Sequence, residues 1–239
     1  MKKISLLLIL SFLIISCTKN VTTESDVENA MNEKYPHIKI DSVERLNDSF
    51  FEIAIQDQIF YLTTDFRHLI AGNIIDFQSG SNLTENSIKV KRKSFLSKIK
   101  NEDTVIYKPK KVNHTITIFT DTSCPYCQKM HNEINDLLEN NIAIRYVLFS
   151  RNGVDDDAYE DMVSVWCADD RKTALDQVFK NNFIRGMECN NPIKDNYNLA
   201  SDLNVNGTPM IFIEDGTVIP GYVSSRKIIE ILAQLNKSK

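Results

Sequence analysis

The spacing of apolar residues changes several times along this chain, and each change marks an element. Residues 4–15 are apolar except for Ser5 and Ser11, and Lys2 and Lys3 precede them. This stretch is shorter than the roughly 20 residues a membrane span needs, and it has the charged and apolar regions of a secretory signal. Residues 18–24 are polar and read as a tether. Ser25-Asp26-Val27-Glu28 has capping-box spacing, and Val27, Ala30, Met31 and Tyr35 follow at helical intervals. The period then drops to two. Residues 38–46, 50–55, 59–63 and 68–77 read as strands, with Asp57-Gln58 as a hairpin tip. Phe51, Ile53 and Ile55 alternate with Glu52, Ala54 and Gln56, which predicts a sheet with one wet face. A unit this small buries little surface by itself, so it points to self-association.

Ser79-Gly80-Ser81-Asn82 marks a boundary. Beyond it, residues 83–100 are helical in pattern and basic, with Lys89, Lys91, Arg92, Lys93, Lys98 and Lys100. They read as a solvated linker helix, or alternatively as a contact with a membrane surface. From Val105 the pattern changes again. Residues 115–120 read as a strand, followed by a helix to about Asn140 whose apolar face is Cys127, Met130, Ile134, Leu137 and Leu138. Residues 142–149 read as a buried parallel strand, and 158–168, 173–180 and 194–203 as helices. Residues 209–213 and 218–222 form a hairpin around Asp215-Gly216, and a helix over 225–235 closes the chain. The order β-α-β, helices, β-β-α predicts an α+β protein with a thioredoxin-like fold carrying a helical insertion. The expected organisation is a signal peptide (1–16), a lipidated tether (17–24), an N-terminal dimerisation domain (25–79), a linker helix (80–104) and a thioredoxin-like catalytic domain (105–239).

Composition narrows the class. With 42% hydrophobic and 25% charged residues and seven glycines, the chain is globular rather than low-complexity. Its formal charge is −4, and −6 once Lys2 and Lys3 leave with the signal. No sustained basic surface points to nucleic acid. The apolar leader ends Ile14-Ile15-Ser16-Cys17, which resembles a bacterial lipobox and makes Cys17 the lipidation candidate; the other reading is a signal peptide with an incidental cysteine. Five cysteines are an odd number, but lipid on Cys17 leaves two pairs, Cys124/Cys127 and Cys167/Cys189. Thr18, rather than Asp, after Cys17 favours an outer-membrane address by resemblance to sorted lipoproteins.

Cys124-Pro125-Tyr126-Cys127 falls where a strand meets a helix. A cysteine at a helix start gains from unpaired N–H groups and the helix dipole, both of which favour its thiolate, and the thiolate is the form that attacks disulfides. Haem attachment requires His next, and Gln128 stands there. A zinc site recruiting His131 lacks an evident fourth ligand. No metal or cofactor is expected. Cys124 is read as the exposed nucleophile, Cys127 as the partly buried resolving thiol, and Pro125 suits the first helical turn. Gly207-Thr208-Pro209 precedes an apolar strand. Cys167 and Cys189 would close a loop over the insertion, as a structural bridge or as a second redox relay.

Taken together, these runs resemble the periplasmic disulfide isomerases DsbC and DsbG. The matching stretches are residues 59–65 and 68–72, the run 116–121 leading into the cysteine motif, Val165-Trp166-Cys167-Ala168 and Gly207-Thr208-Pro209. The resemblance implies a small cystatin-like α+β dimerisation domain, a homodimer joined through the N-terminal sheets, and dithiols facing a shared cleft. It implies that Cys124 attacks wrongly paired clients, that Tyr126, Thr208 and Pro209 contact them across a cis-proline loop, and that Cys167–Cys189 is structural. A membrane reductase of the DsbD type would keep the dithiol reduced, and misfolded or oxidised envelope proteins would be the clients. The Pro-Tyr dipeptide is that of DsbG, whereas DsbC has Gly-Tyr and a histidine at the place of Gln128. Disulfide isomerisation or reduction is therefore expected, beside two alternatives: a DsbG-like reductase of sulfenylated cysteines, and a dimeric folding chaperone with secondary redox activity.

Overall fold

The computed structural model describes residues 22–56, 58–180 and 186–237. Residue 57 of the expected hairpin tip and Cys17 with its signal lie outside them. Helix α1 (Glu24–Lys34) is followed by four antiparallel strands in sequential order, β1 (Ser42–Arg45), β2 (Phe50–Ile55), β3 (Gln58–Thr63) and β4 (Leu69–Ala71). Helix α2 (Leu83–Lys98) leads into a second sheet of order β5-β7-β6-β8-β9, made of β5 (Val105–Tyr107), β6 (His114–Thr120), β7 (Ile142–Leu148), β8 (Met210–Ile213) and β9 (Val218–Pro220). Only β6 and β7 run parallel; the remaining pairs are antiparallel. The other helices are α3 (Pro125–His131), α4 (Ile134–Glu139), α5 (Asp157–Cys167), α6 (Arg171–Phe179), α7 (Ile193–Asp202) and α8 (Ser225–Lys237).

Several local expectations shift. The capping box of α1 lies two residues earlier than predicted: Thr23 is the N-cap, and Asp26 Oδ2 accepts from its backbone N–H at 2.8 Å. Asp26 reaches back one turn and so displaces Ser25 from that role. The first and fourth strands are shorter than the apolar runs that suggested them. Ile55 pairs with Gln58, so the reversal falls one residue early, with Gln56 in the left-handed region at φ 54°. The short edge strand β5 left no periodic signal. The single helix expected after the cysteine motif is two, because Glu133 turns out of the helical path: its carboxylate accepts from Tyr222 Oη and, at 2.8 Å, from the Ser225 N–H at the start of α8. The apolar face survives the break, since Cys127, Met130, Ile134 and Leu137 all enter one core and Leu138 packs against it.

The wet face of the small sheet does not exist. Val27 and Met31 of α1 cover Phe51, Ile53 and Leu62 on one side, while Ile88 of α2 packs with Ala54, Ile59 and Tyr61 on the other. Tyr61 Oη lies 2.6 Å from Thr84 Oγ1, and Ser87 Oγ donates to Glu52 at 2.8 Å. Neither is α2 a solvated linker. Its C-terminal end sends Leu96 and Ile99 into a cluster with Phe119, Val147, Phe149, Met210 and Phe212 of the second sheet. Lys89 pairs with Asp215, Lys91 with Asp41, Arg92 with Glu85 and Lys100 with Glu102, and Lys98 lies over the Phe95 ring, so five of the six supposed membrane-facing cations are engaged within the protein. The helix is a strut shared by two cores.

Gly216 makes one of these contacts possible. It sits in the β8–β9 turn at φ 90°, and a Cβ there would stand 2.2 Å from the backbone carbonyl oxygen of Lys89. Gly216→Ala is expected to destabilise by roughly 1–2 kcal/mol from the left-handed backbone alone, and further because main chain has to retreat. An unchanged urea midpoint would refute this seating of α2.

Candidate active site

The main core explains where the cysteines end up. Ile116 and Ile118 of β6, with Ile144, Tyr146 and Leu148 of β7, face α3, α4 and α8, while Phe119 and Val147 point to the opposite face. Strand alternation thus presses α3 against the sheet, and the short β6–α3 connection sets Cys124 at the N-cap of α3, with Pro125 in its first turn. The Thr208–Pro209 bond is cis. It brings the Thr208 carbonyl to 3.3 Å from Cys124 Sγ, which donates to it as a thiol.

Cys124 is 3% exposed and Cys127 1%, so the expectation that Cys124 stands out from the surface is corrected. The cis-proline loop lies against it. Both thiols are free, and Tyr126 between them is well exposed, its ring stacked at 6.3 Å on that of Tyr222. Cys124, Tyr126, Cys127, Thr208 and Pro209 are therefore brought together. Cys167 and Cys189 are joined to each other, tying the end of α5 to the segment before α7.

The two sulfurs are pushed apart in acidity. Burial acts to raise Cys124, but the Thr208 hydroxyl beside it, Cys127 and the Tyr126 N–H favour the anion, overcome it and hold the thiol below its ordinary range. Burial dominates at Cys127, whose pKa is pushed up to about 12 against weaker help from Thr120, Thr208 and the Asp121 backbone. Thr120 Oγ1 and Thr208 Oγ1 are buried without a partner that meets hydrogen-bond geometry among the described residues. An orphaned hydroxyl beside a sulfur is a donor waiting for an anion: it gains its bond when the thiol ionises. The arrangement favours one thiolate, on the leading sulfur.

Two residues of this region had no role assigned from sequence. Asp121, three positions before Cys124, is fully buried and accepts from Ser123 N at 2.8 Å, Ser123 Oγ at 2.7 Å, Arg151 Nε at 2.9 Å and Arg151 N at 3.1 Å. Burial would raise its pKa, but these donors hold the carboxyl below the usual carboxylate range. Arg151 comes from the loop after β7 and lies close enough for both cysteines, when ionised, to stabilise its charge; its link to the site is tertiary only. His131 turns away from the sulfurs. It is buried, with Nε2 2.9 Å from Asp176 Oδ1 and Nδ1 3.3 Å from Tyr146 Oη, and burial lowers its pKa. Gln128 donates its amide to the Phe179 carbonyl, tying α3 to the end of α6.

Known proteins share both halves of this architecture. Residues 100–236 match the thioredoxin-like domain family, and residues 18–85 match the disulfide bond isomerase protein N-terminal domain. The chain is 34% identical over 181 residues to the thiol:disulfide interchange protein DsbC of Escherichia coli K12, covering 75% of each. It is 28% identical over 190 residues to DsbC of Haemophilus influenzae, covering 78% of this chain and 80% of that one. The crystal structure of a disulfide interchange protein from Neisseria gonorrhoeae has the same fold, at TM-score 0.52 and 22% identity over 57% of this chain and 97% of its own. A free Cys-Pro-Tyr-Cys pair under a cis-proline loop, within a sequence so much of which aligns with DsbC, places this chain in the DsbC/DsbG-like family of thiol:disulfide interchange proteins.

Proposed function

We propose that this protein is an envelope thiol:disulfide isomerase and reductase working through Cys124. The observation that carries the reading is the pair of free thiols at the start of α3, with the Thr208 carbonyl 3.3 Å from Cys124 Sγ, an arrangement in which one thiol is made easier to ionise and the other held protonated. The Cys124 thiolate attacks one sulfur of a client disulfide and the other client sulfur leaves as a thiolate, giving a mixed disulfide. A second client thiol can then displace Cys124, which isomerises the client. Alternatively Cys127 loses its proton and attacks Cys124; the client leaves reduced and the enzyme holds a Cys124–Cys127 disulfide. Resetting that form takes two electrons from a dithiol reductase, here one of the DsbD type. The backbone around Thr208 and the ring of Tyr126 receive the client as an extended segment, as in strand addition, and Cys167–Cys189 braces the helical insertion.

The N-terminal unit supports a homodimer. Strand β4 is the sheet's last strand, and Leu69, Ile70, Ile75 and Phe77 are exposed on or beside it. An open apolar edge of this kind is a template for pairing with a second copy. Cys17, lipidated and left as the first residue of the mature chain, would tether each protomer in the periplasm, at the outer membrane.

The purified protein is tested separately on a scrambled multi-disulfide protein and on a single-cysteine protein carrying a sulfenic acid. Recovery of the native disulfides is the expected result. If only the sulfenylated protein is repaired, the activity is that of a sulfenic-acid reductase and isomerase is the wrong assignment.

A further inference from the structure

We propose that a hollow beside the dithiol is a subsite for one aromatic side chain of the client, within two residues of the cysteine under attack. The inference rests on the interchange reading and adds which clients it favours. The hollow holds about 320 Å³ between the end of β7 and α7, and its lining includes Phe149, Arg151, Tyr197, Ala200, Val205 and Asn206. This is the lower end of the range for small-ligand sites, enough for one ring.

Two residues of the hollow lead towards the reacting sulfur through their neighbours. Arg151 Nη2 donates to Ser123 Oγ at 3.2 Å, and Ser123 immediately precedes Cys124. Asn206 stands two residues before Thr208, whose carbonyl touches Cys124 Sγ. An extended client advances about 3.3 Å per residue. With its cysteine at Cys124 and its backbone along Thr208, a neighbouring side chain passes the mouth of this hollow.

The chemistry of the walls selects the occupant. The Phe149 and Tyr197 rings stack at 5.8 Å, and Tyr197 remains 46% exposed, so it offers ring surface to a visitor. Ala200 and Val205 are buried and apolar. Arg151, held through Nε by Asp121, adds a fixed cation at the rim. A cationic client side chain is repelled there, and the buried Asp121 carboxylate already paired with the guanidinium weakens its pull on an acidic one. An aromatic ring meets both partners it favours, an offset ring and a guanidinium.

The test uses two short peptides that differ only in tyrosine or alanine beside a cysteine carried as its glutathione disulfide. Single-turnover attack by the full chain is expected to be about 3- to 10-fold faster on the tyrosine peptide, the span of an aromatic pair's contribution. That ratio should collapse towards one in Tyr197→Ala, and again in Ser201→Trp, which places an indole at Ser201, an exposed residue of the same lining. Equal rates on the two peptides, or a preference that survives both substitutions, would overturn the subsite. Oxidised glutathione, too small to reach the hollow, separates the two readings. A wild-type chain that fails to react with it sinks interchange itself, whereas one that reacts with it but shows no peptide preference sinks only the subsite.

Discussion

Cys124→Ala reduces turnover of a disulfide-bonded client by at least about three orders of magnitude, the scale on which loss of a nucleophile is felt. Cys127 cannot substitute. It is the more deeply buried of the two sulfurs, and burial pushes its pKa up, so it stays a protonated thiol at neutral pH. The same physics fixes the pH dependence of the wild type. Attack requires the ionised sulfur, so alkylation by iodoacetamide rises with pH and levels off above the pKa of Cys124. Because Thr208 and the N–H groups at the start of α3 hold that pKa low, the plateau comes at lower pH than for a free thiol. Thr208→Val removes a donor to the anion and moves the midpoint upward. Alkylation that follows an ordinary thiol curve, unmoved by Thr208→Val, would leave the proposed nucleophile without its electrostatic basis. Full function of Cys124→Ala in cells would point instead to a chaperone.

Removing the Cys167–Cys189 bridge by double alanine substitution is the second large effect, and it falls on stability rather than chemistry. The cysteines are 22 positions apart, and closing a loop of that size restricts the unfolded chain by about 3 kcal/mol. For a chain of this length that is a fall in Tm of roughly 6–12 °C. Single-turnover attack by Cys124, measured well below the new Tm, should persist. Unchanged thermal unfolding together with lost turnover would make the pair a redox relay and not a brace.

The dithiol motif is legible in the sequence, while much of its setting is not. Cys-Pro-Tyr-Cys, the apolar run before it and the Gly-Thr-Pro ahead of β8 are contiguous, so their spacing survives in one dimension. Asp121 could be noted only as a neighbour of the motif. Its burial depends on Arg151, 30 positions away, and a pairing over that distance leaves no local pattern. The expected exposure of Cys124 failed for the same reason: the loop that covers it lies 84 positions further on.

A comparable division runs through the fold. The 16 residues of α2 read as a solvated basic helix because lysines and serines interrupt its apolar positions. In three dimensions those few apolar side chains meet two separate cores, and acidic partners from elsewhere in the chain absorb its charge. The alternation of β2 likewise suggested a wet face, since periodicity reports which residues share a side and not what lies opposite. The helix after the motif was foreseen by its apolar stripe; its break at Glu133 was not, because the cause is a carboxylate drawn to the start of α8.

By itself, then, the order of residues laid out most of the helices and strands and the position of the dithiol motif between a strand and a helix, all set by periodicity and by short-range steric and capping preferences. The packing of distant segments alone decided what shields the leading thiol, how far burial raises its partner, and how α2 joins the two units. Those outcomes depend on burial and on hydrogen bonds between residues far apart along the chain, and such energies exist only once the chain has closed on itself.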